Sequence, residues 1–547
     1  MSSVWNECAF REGSCPRKGV TPGTALIWGP EIAEERGAAE FRPLEGGAGL
    51  GGFFMAPARI KHVRASNLAV MTNSPRGPRT LVAGLGLLVT RTIGRWVPDP
   101  FILAIGLTAL TAILALVIPG TFAEVAADAD GITPSKFALL LEAWWGDDGL
   151  WKLLTFSMQM ALVLVTGYAL AASPPIRKAI DGVADLPRST ASGAVLVSAV
   201  AVATGLLNWG LALVVGALLA RAVGRSLERR GIGCHYPLLA AAGYTGLLVW
   251  HGGFSGSAPL KMTTPKNAAD VLPDSIVAEY AAQGVPLSET LLSPMNLFVS
   301  LGLLLIVPLV FLLLVPNRPE DLASPSSLGI TFDEPPKLDG TPIRVMELFL
   351  AMGLGLALII GFLAYILGDQ GGLGRLGLNQ INAVMLGLGL LLHGSPTRYL
   401  RAVEDAARGC AGIIVQFPLY AGVMGMMAAS GMLAMFAATA NSISTPETLP
   451  LFTAASAAVV NIFVPSGGGQ WAVQGPIALV AGVDAGVPVG KMIMSVAYGD
   501  QLTNMLQPFW ALPLLAITGV RARDIVGYTA LVMLVAAVWI AIGLLVF

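Results

Sequence analysis

Charged side chains are scarce in this sequence. Lys, Arg, Asp and Glu account for 12% of its 547 residues, whereas a soluble protein of similar length has about a quarter. Hydrophobic residues account for 55%, and the mean hydropathy is +0.71. This composition excludes an ordinary soluble domain. The net charge of −1 also gives no sign of a nucleic-acid partner, which would require a basic surface.

Cysteine and histidine are also few, and neither type is clustered. They lack the spacing of metal ligands, so we expect no metal, no disulfide framework and no cofactor. The sequence shows no nucleophile beside a base and no phosphate-binding loop, which argues against a membrane-embedded enzyme and against primary active transport. The residues are Cys8, Cys15, Cys234, Cys410, His62, His235, His251 and His393.

Long apolar runs are what the sequence has in abundance. Several could cross a bilayer, which takes about 20 helical residues. They predict an all-α integral membrane protein with about nine transmembrane helices and two re-entrant hairpins, arranged as two inverted repeats. Segments 236–259 and 411–437 are expected to be continuous spans. Other spans are predicted at 101–119, 151–172, 294–315, 348–367 and 525–547.

The chain divides into four parts by composition. Residues 1–70 are rich in Gly, Pro, Arg and Glu and lack the apolar core of a signal peptide. We expect them to be a disordered N-terminal extension or a mis-assigned start. Residues 71–320 are the first predicted membrane repeat, 321–345 a polar cytoplasmic loop, and 346–547 the second membrane repeat.

Two apolar segments are interrupted by polar or glycine-rich residues. Residues 191–220 are apolar except around Asn208, and basic residues flank both ends. Since Lys and Arg stay on the cytoplasmic side, we interpret this segment as a re-entrant hairpin with Asn208 near its tip; one long kinked helix is the alternative. Segment 452–483, which contains VPSGGGQWAVQGP, follows a loop without Lys or Arg, and we expect it to enter from outside.

The two halves share a pattern of polar residues. Asn208 and Asn461 are 253 residues apart, and Tyr244 and Tyr498 are 254 apart. Loop charges give the halves opposite orientations. Inverted halves that each contain a broken segment are typical of secondary transporters, with the substrate bound at the breaks near the middle of the membrane.

The polar residues at these breaks are the candidate substrate site. Glycines allow backbone to turn sharply and approach a ligand, and helix N-termini favour anions. For the neutral polar residues, hydrogen bonding between helices is the alternative role. The candidates are Asn208, Trp209, Gly210, Ser255, Ser257, Asn461, Ser466, Gly467, Gly468, Gly469, Gln470, Gln474, Thr503, Asn504 and Gln507.

Asp500 is the candidate coupling-ion residue. It lies inside the apolar stretch 492–517, where an ionisable group is expensive and usually functional. We expect it to carry a proton or to help bind a cation such as Na⁺; capping a half-helix or facing a water-filled vestibule is the alternative. A structural role is expected for His251, a lone histidine near the membrane face, with a proton carrier as the alternative.

The substrate class follows from what the breaks contain. No arginine lies at either tip, so a compact monocarboxylate is expected rather than a multiply charged anion. A dicarboxylate or an amino acid remains the alternative cargo on the same fold. A channel is disfavoured because paired broken helices in inverted halves indicate alternating access.

Several motifs resemble those of a known family. From about Arg91 to Phe547 the chain is similar to the short-chain fatty acid transporters, within the ion-transporter superfamily. The resemblance implies a multi-pass carrier in the bacterial inner membrane for acids such as butyrate and acetoacetate, with paired hairpins, elevator-like movement and a homodimer. His251 departs from it, since glycine is expected there in some relatives. The matching motifs are VPSGGGQWAVQGP, NWGLALVVGALLAR, GGFSGS, WVPDP, VQFPLYAG and AYGDQLTNMLQPFWALP.

Overall fold

The protein folds into helices packed side by side. Its structure, a computed structural model, describes residues 81–96, 98–123, 134–269, 271–280, 282–332, 344–368 and 378–547. Within these ranges every regular element is a helix, and eight helical segments are long and apolar enough to cross a membrane. The predicted all-helical membrane fold is confirmed, whereas the number of spans and the inverted repeat stay predictions. The prediction for residues 1–70 lies outside the described residues.

The helices of the first half differ widely in length. They are α1 (Leu81–Trp96), α2 (Pro100–Val117), α3 (Lys136–Trp145), α4 (Leu154–Ala172), α5 (Pro174–Ala184), α6 (Thr190–Leu207), α7 (Trp209–Arg229), α8 (Tyr236–Tyr244), α9 (Ser257–Met262), α10 (Pro265–Ala269), α11 (Asp274–Tyr280) and α12 (Pro294–Leu314).

The helices of the second half also differ widely in length. They are α13 (Val345–Leu367), α14 (Leu378–His393), α15 (Pro396–Ala407), α16 (Ala411–Ala429), α17 (Met432–Ser442), α18 (Leu449–Phe463), α19 (Gly467–Asp484), α20 (Val489–Thr503), α21 (Pro508–Thr518) and α22 (Ala522–Val546).

Helices α6 and α7 form hairpin 1, with the turn at Asn208. This residue ends α6 in an extended conformation, and its side chain accepts hydrogen bonds from the first amides of α7, as an N-cap residue does. The two arms run antiparallel, because Gly193 near the start of α6 packs on Val223 and Leu227 near the end of α7. The break predicted at Asn208 is therefore present.

Helices α18 and α19 form hairpin 2. Its arms are joined by amide side chains: Gln470 Nε2 donates to the main-chain oxygen of Ala457 at 2.9 Å, and Gln474 Nε2 donates to Ser456 Oγ at 3.3 Å. Buried amides that find such partners avoid the cost of unpaired polar groups. These two glutamines, expected at the substrate site, lie between the arms of the hairpin.

The segment 236–259 is not the continuous span that its composition predicts. Helix α8 ends at Tyr244, two 3₁₀ turns follow, and α9 begins at Ser257. We call residues 245–256 the first break. Here backbone packs on backbone: Phe254 N–H donates to Leu206 O at 2.8 Å, and a Cβ on Gly253 would lie 2.2 Å from that oxygen. Apolar composition indicates membrane depth but not helix continuity.

A second break, at residues 504–507, separates α20 from α21. Pro508 begins α21 and forces Gln507 into an extended conformation. The two breaks meet, because Tyr244 Oη donates to the main-chain oxygens of Asn504 and Gln507 at 2.8 and 3.0 Å. These two hydrogen bonds give the main-chain oxygens at the second break a donor, which the interrupted helix does not supply.

The expected span 411–437 is also divided. Helix α16 ends at Ala429 and α17 begins at Met432, with Gly431 between them at a φ of 73°. This left-handed conformation is open to glycine without steric cost and turns the chain sharply. The prediction of one straight span here was wrong.

A buried polar cluster joins the loop between α7 and α8 to α22. His235 Nδ1 accepts a hydrogen bond from Ala323 N–H at 3.1 Å, so the ring proton is on Nε2, 2.8 Å from Tyr528 Oη. Nearby, Arg91 Nη2 lies 2.9 Å from Asp321 Oδ1. Burial is the largest cause that lowers the pKa of His235, to about 4, so this ring is held neutral.

Acidification is therefore expected to destabilise this cluster. The native pKa of His235 lies below its ordinary value of about 6.5. The stability that the neutral ring contributes is therefore complete above pH 6.5 and is lost as the pH falls towards 4. At pH 5 we expect the free energy of unfolding to be about 2 kcal/mol lower than at neutral pH. Thermal unfolding in detergent should show a Tm that falls between pH 7 and 5, and less steeply in His235→Gln. Equal slopes in both proteins would contradict this.

Candidate functional site

The second break is held against α18 by Asn461. The side chain of Gln507 donates to the main-chain oxygen of Asn461. Asn461 Nδ2 in turn lies 2.6 Å from Asp500 O, 3.1 Å from Thr503 Oγ1 and 2.8 Å from Asn504 Oδ1. Five of the predicted site residues, four for the substrate and Asp500 for the coupling ion, are thereby brought together. They satisfy backbone that would otherwise be unpaired in an apolar environment.

Asp500 forms a buried pair with His251. Asp500 Oδ1 lies 3.2 Å from His251 Nε2, and the two side chains are 3% and 1% exposed. In the described part of the chain, Asp500 Oδ2 and both ring nitrogens of His251 have no hydrogen-bond partner, so the contact between Nε2 and Oδ1 is an ion-pair distance without the alignment of a hydrogen bond. The main-chain N–H of His251 donates to Gln501 Oε1 at 3.1 Å, which fixes the first break to α20. The pair joins the first break in one half to α20 in the other.

The glycine tip of hairpin 2 (Gly467, Gly468 and Gly469) packs directly on this pair. A Cβ on Gly467 would lie 2.5 Å from His251 Nε2 and 2.9 Å from Trp250 Cη2. Such distances are shorter than any van der Waals contact, so only glycine allows this approach. The absence of a side chain is what brings α19 to the first break.

The rest of the glycine tip is held from two sides. Ser466 caps α19, since its Oγ accepts from Gly469 N–H at 3.2 Å, as expected of an N-cap serine. On the other side Lys261 Nζ lies 3.4 Å from Gly468 O. The N-terminus of α19 therefore has a cation beside it.

The tip of hairpin 1 is fixed to the first break. Trp209 N–H donates to Ser255 Oγ at 3.0 Å, and Gly210 N–H donates to Asn208 Oδ1 at 2.9 Å. These four predicted residues are together. Ser257 only begins α9, and no side-chain contact in the described residues joins it to the group.

Aromatic rings connect the two tips. The Trp209 ring lies 6.1 Å from that of Trp250 and 5.0 Å from that of Trp510, both edge-on, and 6.3 Å from Phe156. Edge-to-face contacts of this kind stabilise aromatic clusters. Since Trp250 also contacts Gly467, one continuous surface runs from hairpin 1 to hairpin 2.

A polar cavity of about 780 Å³ lies along the same helices. Its lining includes Tyr168 of α4, Arg221 of α7 and Thr518 of α21. The three helices carry Phe156, Trp209 and Trp510, respectively, near their other ends. The cavity and the aromatic cluster are therefore lined by residues of the same three helices.

Sequence reasoning missed three contributors to this site. His251 was expected to be structural, but it contacts Asp500 249 residues away. Trp250 and Lys261 were not singled out. Trp250 lies two residues before the GGFSGS motif, which is a usable signal, and Lys261 is the first basic residue after it. No local pattern places either beside the glycine tip, because that contact joins the two halves.

The described residues contain no group of three or more His, Cys, Asp or Glu side chains that could hold a metal ion. Instead, two hairpins and two breaks surround a buried, singly paired carboxylate. A buried ionisable group beside interrupted helices is typical of membrane transporters. The chain belongs to the short-chain fatty acid transporter family, whose members it matches over residues 81–547.

Two relatives with this family name are similar over their whole length. One, from Escherichia coli (strain K12), is 37% identical over 477 residues, covering 85% of this chain and 100% of the relative. The other, from Haemophilus influenzae (strain ATCC 51907 / DSM 11121 / KW20 / Rd), is 38% identical over 470 residues, covering 85% and 99%. Both are named as short-chain fatty acid transporters, so the class expected from the motifs is confirmed.

Two solved transporter structures are more distant. The YdaH transporter of Alcanivorax borkumensis aligns with a TM-score of 0.39 and 16% identity, covering 82% of this chain and 97% of that one. MtrF of Neisseria gonorrhoeae aligns with a TM-score of 0.32 and 17% identity, covering 84% and 96%.

Proposed function

We propose that the protein is a secondary transporter of short-chain monocarboxylates such as butyrate and acetoacetate, located in the bacterial inner membrane and coupled to H⁺. The buried pair of His251 and Asp500, directly beneath the glycine tip of hairpin 2, carries this proposal. An ionisable pair at membrane depth is expensive to maintain and is typical of ion-coupled transport.

The pair is suited to a proton. Imidazole and carboxylate at 3.2 Å can share one proton, and gaining or losing it changes the charge under the glycine tip by one unit. Na⁺ is the weaker candidate, because hard cations prefer several oxygen ligands and one oxygen of Asp500 already faces a ring nitrogen. Na⁺ coupling remains an outcome that experiment can return.

Alternating access would use hairpin 2 as the moving contact. Its tip meets the first break at Gly467, which has no side chain, and a contact to which one partner contributes no side chain can separate with little repacking. Protonation of the pair and binding of the substrate carboxylate at the N-terminus of α19 would both alter this contact. Proton binding and substrate binding would then be coupled, because both act on the same contact between the tip of hairpin 2 and the first break.

Transport in liposomes tests the proposal. We expect saturable uptake of labelled acetoacetate and butyrate that follows an imposed pH gradient and not a Na⁺ gradient. Butyrate crosses bilayers as the neutral acid, so uptake by protein-free liposomes has to be subtracted. Folded protein that takes up neither acid would contradict the substrate class, and dicarboxylates and amino acids would then be tested in the same liposomes.

A further inference from the structure

Lys261 provides an ammonium group beside the glycine tip. Its Nζ lies 3.4 Å from Gly468 O and 3.3 Å from the position that a Cβ on Gly468 would occupy. In the part of the chain that the structure describes, no carboxylate lies within ion-pair distance of this nitrogen. The side chain is partly exposed, so an anion can reach it.

Trp250 provides an apolar surface at the next residue of the same tip. Its Cη2 lies 2.9 Å from the position of a Cβ on Gly467, and its ring is buried against Trp209. Two adjacent glycines therefore face two different chemistries, an ammonium and an indole. His251, the partner of Asp500, contacts the same indole with ring centroids 3.7 Å apart and ring planes tilted by 52°.

This pairing matches the two ends of a short-chain fatty acid. We propose that Lys261 binds the substrate carboxylate and that Trp250 contacts its alkyl chain, so that together they set the preference for one charge and a short chain. The inference rests on the proposed function. A single ammonium neutralises one carboxylate, and an indole is an apolar wall that limits chain length.

The carboxylate contact is tested by concentration-dependent uptake. In Lys261→Gln we expect the KM for butyrate to rise about tenfold or more, because hydrogen bonds to charged groups contribute more than neutral ones. Lys261→Arg should recover at least half of that loss. Lys266→Gln removes another exposed lysine, five residues away and outside the site, and should behave as the wild-type protein.

The alkyl contact is tested by chain length. Trp250→Ala removes the indole beside the tip and leaves room for a longer alkyl chain, so the ratio of kcat/KM for hexanoate to that for butyrate should rise by about tenfold or more, since even one methylene against an apolar surface changes such a ratio by about 10-fold or more. This ratio is internal to one protein sample and does not depend on expression.

The outcomes separate this inference from the function on which it rests. Saturable uptake by the wild-type protein together with an unchanged KM in Lys261→Gln, or an unchanged chain-length ratio in Trp250→Ala, would overturn the inference and leave the function standing. A wild-type protein without saturable uptake would overturn both.

Discussion

Asp500→Asn is expected to abolish uptake driven by a pH gradient while exchange of labelled for unlabelled butyrate persists. Asparagine has nearly the same shape, so the site should stay assembled, but its side chain cannot take up a proton. A gradient of one pH unit supplies about 1.36 kcal/mol per coupled proton, which corresponds to about tenfold in accumulation. The variant should lose this factor. The steady-state ratio of internal to external label, with and without the gradient, measures it directly.

His251→Gln should share this phenotype, because the proposed proton is held by both partners. The matched control is Asp484→Asn, which removes an exposed carboxylate at the other end of α19 and should keep full gradient dependence. An Asp500→Asn protein that responds to the pH gradient as the wild type does would exclude Asp500 as the coupling site. A loss of Na⁺ dependence instead would identify the other ion.

The sequence was most informative where a polar residue interrupts an apolar run. Asn208 could be placed at a hairpin tip because basic residues flank both ends of its apolar segment, although a kinked helix was the alternative, and the structure has it capping α7. Asp500 could be singled out because of the expense of burying a carboxylate. Its partner could not be found in this way: His251 comes from the other half of the chain, and only the fold brings the two within 3.2 Å.

Helix continuity was harder to predict than membrane depth. Segments 236–259 and 411–437 are apolar enough to span, yet the structure breaks both. At the first, Gly253 packs on the backbone of α6, a contact that hydropathy does not encode. At the second, Gly431 supplies a left-handed turn, although glycine is common in membrane helices and its presence alone predicts no break.

The proposed repeat also looks different once partners are known. Tyr244 and Tyr498, matched by spacing, each lie near the C-terminal end of a helix that is followed by a break. Their hydroxyl groups donate to different targets, however: Tyr244 to the second break, and Tyr498 to Asn296 of α12. Asn208 caps its own helix, whereas Asn461 binds α20. Positions matched by spacing therefore make different contacts, and the buried carboxylate Asp500 lies in the second half.

Gly467→Ala should reduce transport strongly although it adds a single methyl group. That group would lie 2.5 Å from His251 Nε2 and 2.9 Å from Trp250 Cη2, and both rings are buried, so neither can move aside freely. Overpacking a buried contact costs about 1–3 kcal/mol. If the contact forms once per transport cycle, the rate should fall by about 10- to 100-fold. Initial uptake per folded protein measures this.

Two comparisons separate a steric effect at the tip from a general effect of alanine. Gly353→Ala adds the same methyl group to α13, where nothing lies within 4 Å, and should leave transport intact. Gly468→Ala meets only the flexible end of Lys261, at 3.3 Å, and should lose less than Gly467→Ala. Equal losses at 467 and 468 would mean that the tip requires flexible backbone rather than close approach to His251. A fully active Gly467→Ala protein would show that transport does not need this contact, and the moving element would then have to be sought at hairpin 1.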